Sequence, residues 1–556
     1  MSSRRAFGLV AVAGALLLAA CGGDNGSSST PATSAAATSA GSATSAGSAT
    51  SAGGATSAPA TTVAPGTLKS LPSLPVDAAQ VDDNATVRIA FAFVELKLDP
   101  HKVQQLYLTQ YLYDSLFQID KDKNLLPGLA TKYAFSDDKK SVTLTLRDGA
   151  SFSDGTPVDA DAVKASLDRG RTLADSTVKA DLANIANVTV VDPHTVRLDL
   201  NQPDVTLIYT LATHAGSVIN PKAIAAGTDL STTAAGSTPY DIAEFDPGKK
   251  VVFQRRPGAT YWDPAAFKIN RLEIDLVTDP NTVLNGLKTG AFEAGDLVIP
   301  PDQAKAQLGS DFNFANLVSD SMVWIWLRDT RPAWQSQAVR QAAIEAIDRK
   351  SIADKALLLC PSSSQMFPPG SPAYIDGYDP YPFDPAKAKA QLAGATPQVE
   401  FLVAPTQANE TKFAQVAQQQ LADVGFNVTI TPMNLPEASP QFNSGNRDGF
   451  IQGSSSLPDA GLTIKKFFFG PPAMAGPGIK DTLQAKLTAA NALSLGSPER
   501  AAALQDLQKT AMDWSDFIPV CRIAHNWGVK KNLVGFQDAP WQSAGYFSAR
   551  YFVVTK

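Results

Sequence analysis

Residues 398 to 431 constrain the fold more than any other stretch. Val399 to Val403 is a short apolar run. Phe413, Val416, Ala417, Leu421 and Val424 follow at helical spacing as far as Gly425, and Phe426, Val428 and Ile430 then alternate. Strand, helix and strand in so short a span form a βαβ unit, with parallel strands and a right-handed crossover, and imply an α/β lobe. Further helices fit Gln337 to Lys350, Asp481 to Leu493, and Pro498 to Asp513, the last with Ser497 as N-cap and Pro498 in its first turn. The first half reads differently. Val87, Ile89 and Phe91 alternate, as do Val142, Leu144 and Leu146, and 187–191 with 195–200 make an antiparallel hairpin around Asp192-Pro193-His194. A chain of 556 residues, 44% hydrophobic and 18% charged, has apolar mass for several lobes. Its formal charge of -6, from 47 basic and 53 acidic residues, argues against a nucleic-acid binder, which needs a basic surplus to meet phosphate.

The N-terminus reads as an export signal. Arg4 and Arg5 precede an apolar run from Phe7 to Ala20, shorter than the ~20 residues of a membrane span and suited to a secretory signal. The run ends in Leu18-Ala19-Ala20-Cys21, which resembles a bacterial lipobox, so residues 1–20 are a signal peptide and Cys21 carries the lipid. The arginine pair also looks like a twin-arginine signal, which leaves the route, Sec or Tat, open. Residues 22–66 are almost only Ser, Ala, Thr and Gly, and 38–43 repeat directly as 44–49. No core can form from this composition, so 21–84 reads as a disordered lipoprotein tether, and about 60 such residues span roughly 40–45 Å. Cys360 and Cys521 remain, either as a disulfide or as two buried thiols.

Several chemistries lack their residues. The four histidines, His101, His194, His214 and His525, share no metal-binding spacing, and no Walker loop is present. No metal site and no cofactor are expected. Ser136-Asp137-Asp138-Lys139, Ser176-Thr177-Val178-Lys179 and Lys288-Thr289-Gly290 match the SxxK and KTG patterns of penicillin-recognising serine enzymes. Neither serine opens a buried helix as that chemistry requires: Ser136 precedes a strand in a charged turn and Ser176 lies in a polar connection. The chain therefore reads as a non-enzyme.

Gly128-Leu129-Ala130, Ser136-Asp137-Asp138, Leu144-Thr145-Leu146-Arg147-Asp148-Gly149 and Phe152-Ser153-Asp154-Gly155-Thr156-Pro157-Val158 stand in an order and spacing that resemble the peptide/nickel family of ABC-importer solute-binding proteins. Leu98-Asp99-Pro100, Leu112-Tyr113-Asp114-Ser115-Leu116, Thr238-Pro239-Tyr240, Tyr261-Trp262, Gly290 to Glu293, and Val339 to Arg349 continue the same order. The first blocks read physically as turns at Asp148-Gly149 and Ser153-Asp154-Gly155, and a helix opening near Asp159 with Val163 and Leu167 inward. The resemblance covers nearly everything after residue 85. It implies a bilobal periplasmic-binding-protein-like α/β fold of class II type with an additional inserted α+β lobe. Lobe I gathers 85–113, 219–317 and 523–556; lobe II is 114–218; lobe III is 318–522. It also implies that a monomer, lipid-anchored on the extracytoplasmic face of the cell membrane, captures a small solute between lobes I and III, with oligopeptide as first guess. Closure by hinge motion then delivers the solute to ABC permease subunits. An envelope scaffold or regulator that uses the same fold without transport is the alternative.

By that resemblance the ligand contacts are Gln104, Tyr107, Tyr113, Trp324, Trp326, Ser454, Ser455, Arg522, His525 and Trp527. Trp324 and Trp326 are expected on opposite faces of one strand, one lining the cleft and the other in a core. Peptide binders of the family place an aspartate before the Pro458-like residue for the ligand's amino terminus, where this chain has Ser454. Dipeptide binders place an arginine near Ala404-Pro405, and none is there. A zwitterionic dipeptide is therefore disfavoured unless Asp459 and Arg522 substitute.

Overall fold

Ten strands make one sheet, in the order Asn427–Pro432, Gln398–Val403, Gly449–Ser454, Phe312–Leu327, Phe517–Lys530, Ala294–Leu297, Thr86–Phe91, Arg271–Leu276, Lys250–Arg255 and Tyr240–Asp246. The structure, a computed structural model, describes residues 68–91, 97–103, 107–297, 299–355, 357, 359–404, 408–470, 477–536 and 548–556. The βαβ unit is present: Gln398–Val403 and Asn427–Pro432 are parallel, with Val399 opposite Val428 and Phe401 opposite Ile430. The intervening helix, Ala408–Val424, buries Phe413, Ala417 and Leu421 completely, and ends where Gly425 takes φ +121°, open to glycine alone at little cost.

Two long antiparallel strands, Phe312–Leu327 and Phe517–Lys530, carry the sheet from one half of the body to the other. Their register breaks twice: between Val318, opposite Ala524, and Met322, opposite Arg522, so residues 319–321 stand against Ile523 alone, and again between Val323, opposite Cys521, and Trp324, opposite Pro519. Hydroxyls take over where the ladder stops. Ser319 Oγ donates to the Ile523 carbonyl at 2.8 Å and accepts from the Ser321 amide at 3.1 Å.

A separate four-stranded antiparallel sheet orders Ala130–Phe135, Ser141–Leu146, Thr195–Leu200 and Ile185–Asp192. Alternation in Ser141–Leu146 buries Val142, Leu144 and Leu146 against the helix Ala160–Thr172, whose Val163 and Leu167 face inward. Asp159 caps that helix by accepting from the Ala162 amide at 3.0 Å. The buried side chains fall into distinct groups. One takes Val87, Tyr111, Ile219, Phe253, Trp527 and Phe552; another lies wholly within 116–218; two more, drawn from 322–521, cover the two faces of the sheet.

The structure departs from the sequence reading at two places. The expected helix over 337–350 is two, Gln337–Glu345 and Arg349–Lys355. Asp348 causes the restart, because its carboxylate accepts from the Ser351 amide at 2.9 Å in the manner of an N-cap. The expected tether over 21–84 also ends sooner, for 68–84 is docked on the body; its earlier part, 21–67, lies outside the described residues. Leu68 packs against the 116–218 core and Leu74 against the core around Trp527. The Lys69 amide donates to the Leu125 carbonyl at 2.9 Å, and Val81 bridges to Thr555.

Cys360 and Cys521 form a disulfide with S–S 2.01 Å and Cα atoms 5.3 Å apart, across a sequence separation of 161. It ties the segment before Ser362 to the long strand Phe517–Lys530, where Ser362 makes an isolated bridge with Cys521. Constraint of so long a loop in the unfolded chain is worth about 2–4 kcal/mol, so reductant should lower the urea midpoint of the wild type and leave that of Cys521→Ser where it is. An unchanged wild-type midpoint, with two thiols titrating before and after reduction, would show the bond to be absent.

Candidate functional site

A cavity of about 1610 Å³ opens between the 114–218 layer and the segment 435–470. Core anchors and turn geometry together build its first wall. Val178 and Leu182, one helical turn apart and joined by an amide-to-carbonyl bond of 3.1 Å, are fully buried in the 116–218 core. The residues between them therefore turn outward, and Lys179 and Asp181 line the cavity. His214 lies on the same wall at a 3-10 turn, His214–Gly216. Surrounding protein, and then the nearby Lys466 ammonium, lower its pKa to about 4, so it is neutral at physiological pH.

The opposite wall starts at the end of the strand Gly449–Ser454 and continues through a pinned loop. Asp459 caps the short helix Ala460–Ile464, accepting from the amides of Gly461 at 2.8 Å and Leu462 at 3.2 Å. The same carboxylate takes a bidentate pair from Arg500, both contacts 2.9 Å, with both side chains buried. Thr463 Oγ1 holds the loop shut by accepting from the Leu457 amide at 2.9 Å. The helix then widens into one π turn, Lys465–Phe469, closed by Gly470 donating to the Lys465 carbonyl at 2.9 Å. Any Cβ at 470 would stand 2.7 Å from the Lys466 carbonyl, so this closure requires glycine. Phe467 and Phe468 go into the core, and Lys465 and Lys466, half-buried, line the cavity.

Lys466 Nζ donates to the Ser455 carbonyl at 2.8 Å. Burial lowers its pKa to about 8, against a smaller opposing pull from Asp181. Burial raises the pKa of Asp181, while Lys465 and Lys466 pull it back down. The remaining cation of the lining, Arg550, is engaged: it donates to Asp114, and to Tyr261 Oη at 2.7 Å.

Of the residues expected from the sequence, Tyr113, Ser454 and Ser455 line this cavity. Gln104 and Cys21 lie outside the described residues. Trp324 and Trp326 do not face opposite ways. Residues two apart on a strand share a face, and both rings are fully buried in one core, centroids 5.3 Å apart and packed on Phe467 and Phe517. Tyr107 and Trp527 belong to the core beneath the first half of the sheet, where Trp527 meets Phe91 edge-on at 5.5 Å. His525 Nδ1 lies 2.6 Å from Asp296 Oδ2, and Arg522 Nη2 donates to the Ser319 carbonyl at 3.4 Å. Neither Asp459, spent on Arg500 and its helix, nor Arg522, turned to Ser319, is part of the cavity lining. Ser176 does line it, but its hydroxyl donates to the Gly170 carbonyl at 2.7 Å.

The expected cleft between 85–113 with its companions and 318–522 is thus differently walled. The continuous sheet fills the seam between those parts, and the open space lies where 115–214 faces 435–470. Sequence reading missed Lys179, Asp181, His214, Lys465 and Lys466. The one visible signal was Lys465-Lys466 set inside the otherwise apolar run 460–469.

Three comparisons bear on this geometry. The family model described as bacterial extracellular solute-binding proteins, family 5 Middle, matches residues 124–469. The glutathione-binding protein GsiB of Salmonella paratyphi A is 30% identical over 464 residues, 80% of this chain and 90% of that one. Among solved structures, Haemophilus influenzae OppA in complex with RPPGFSPFR superposes with TM-score 0.72 at 18% identity, covering 86% of this chain and all of that one. NikA from Brucella suis in complex with Fe(III)-EDTA gives TM-score 0.72 at 22% identity, covering 81% and 96%. The solved structures show a common fold.

Proposed function

The chain belongs to the bacterial extracellular solute-binding proteins of family 5, and from that premise we propose that it closes on a peptide-sized solute in the cavity between residues 115–214 and 435–470. As a member it is a binding protein that delivers substrate to an ABC importer, not an enzyme. Among the described residues no helix is long and apolar enough to cross a membrane.

The carrying observation is the cavity itself. Its 1610 Å³ exceeds the roughly 300–1,000 Å³ of ordinary small-molecule pockets, and both walls present polar groups that a peptide backbone uses. GsiB is named for glutathione, itself a small peptide, and OppA holds a peptide in its structure, which supports the same class here. Three lobes, 85–113 with 219–317 and 523–556, 114–218, and 318–522, would move as units, in keeping with their separate cores. The reading puts their bend at residues 319–321, supported by the wider of the two register shifts between the crossing strands. Outside the described residues, the reading places the signal peptide at 1–20 and the lipid on Cys21, holding a monomer at the extracytoplasmic face beside its permease.

The test is a thermal-shift screen of the protein against di- to pentapeptides, nickel chelates and oligosaccharides, with X-ray scattering on any hit. A ligand at about 1,000 times its dissociation constant should add roughly 4 kcal/mol and reduce the radius of gyration. Silence from every solute, with no compaction, would leave a scaffold that meets protein partners.

A further inference from the structure

Charges of opposite sign face each other across the cavity without meeting. Lys465 and Lys466 on one wall favour the ionised form of Asp181 on the other, and Asp181 that of Lys466, yet no ion pair within 4.0 Å joins them among the described residues. None of the three holds the fold by a salt bridge. The Lys465 ammonium has no polar partner among the described contacts, and the one side-chain hydrogen bond of Lys466, to the Ser455 carbonyl, leaves two of its three ammonium protons for another acceptor. Lys179, exposed at the rim, adds a further cation, whereas Arg550 is consumed by Asp114 and His214 is neutral.

On the premise of solute capture, we infer that this cavity selects an acidic peptide with more carboxylates than amino groups, its carboxylates on Lys465 and Lys466 and its amino group on Asp181. A dry, closed cavity penalises unmatched charge heavily, by several kcal/mol for each buried ion left alone. A neutral saccharide would leave Lys466 uncompensated, and a cationic peptide would meet three ammonium groups with one carboxylate to receive it. A bare metal ion has no ligand set, since no group of three His, Cys, Asp or Glu side chains gathers anywhere among the described residues. An acidic zwitterion bridges the two walls and so favours the closed form over the open one.

The experiment is isothermal titration of the protein with di- to pentapeptides that differ only in acidic, neutral or basic side chains, each as free acid and as C-terminal amide. Acidic free acids should bind roughly tenfold or more tightly than neutral peers, the worth of one charge-assisted hydrogen bond. Lys466→Met and Lys465→Met should each erase most of that preference, and Lys466→Arg should restore it; Asp181→Asn should weaken peptides with a free amino terminus. Lys465 Nζ makes no hydrogen bond or ion pair among the described contacts, so an unchanged unfolding midpoint for Lys465→Met separates its effect from misfolding. The preference should also decline between pH 7 and 9, as the Lys466 ammonium is lost near pH 8 while His214, on the facing wall, is already neutral; Asp181, Lys179 and Lys465 are the other charged groups facing it in the cavity. Neutral or basic peptides that bind as tightly as acidic ones, in the wild type and in both methionine variants, would overturn the charge assignment and leave solute capture standing. Binding of no peptide at all would overturn the charge assignment together with the peptide class of the solute.

Discussion

Asp114→Ala is expected to destabilise the protein by about 3–5 kcal/mol, the cost of leaving a buried cation without its partner. Asp114 is 1% exposed and accepts from the Arg550 guanidinium, from Tyr261 Oη at 2.6 Å, from Ser237 Oγ at 2.7 Å and from Trp262 Nε1 at 3.2 Å. These donors come from three distant stretches of chain, so one carboxylate holds the start of the 114–218 layer to 237–262 and to the C-terminal residues. Arg550 also stacks on Phe267 at 4.8 Å, and it cannot leave for water without pulling the C-terminus away. Urea unfolding followed by tryptophan fluorescence reads the loss. Adding Arg550→Met to the alanine variant should recover part of it, because the second change removes the stranded charge. A loss below about 1 kcal/mol for Asp114→Ala would show that solvent or a neighbouring acid replaces the carboxylate.

Trp324→Ala should also cost about 3–5 kcal/mol, as an indole removed from a packed core leaves a void its neighbours cannot fill. Its ring lies 5.3 Å from Trp326, 5.4 Å from Phe517 and 5.9 Å from Phe467. Because neither tryptophan lines the cavity, the variant should keep the wild-type order of preference among solutes while its unfolding midpoint drops. Wild-type stability together with abolished solute binding would return Trp324 to the cavity wall.

The two tryptophans also mark where sequence reading succeeds and where it stops. The strand that carries them entered through the family resemblance, and strict alternation places i and i+2 together, so the expectation of opposite faces misapplied a rule that the sequence did contain. The βαβ unit, the hairpin after Ile185 and the helix capped by Asp159 were legible for a related reason: each is decided by contacts within a few dozen residues. The cavity is not local. Asp181 and Lys466 are brought opposite each other only because Val178 and Leu182 sink into one core while Phe467 and Phe468 sink into another. Nothing in either short stretch encodes that meeting. Tyr113, Ser454 and Ser455 were found because they border blocks whose order along the chain was itself recognisable. Asp459 stood only as a conditional counter-charge for want of its partner, since Arg500 lies a helix away and the sequence does not say that the two will pair.

The place of Phe517–Lys530 inside the sheet governs the order in which the molecule can be made. That strand is central, with Phe312–Leu327 on one side and Ala294–Leu297 on the other, yet it is synthesised after the other nine strands of its sheet. Residues 116–218 hold a core of their own and can condense as soon as they emerge. The parts on either side must wait with an open sheet edge until the final strand arrives, and their pairing spans most of the chain, a topology that slows folding. A nascent chain stalled before Phe517 is therefore a half-built sheet rather than a smaller protein, and its exposed edges are where a chaperone or an aggregate would take hold.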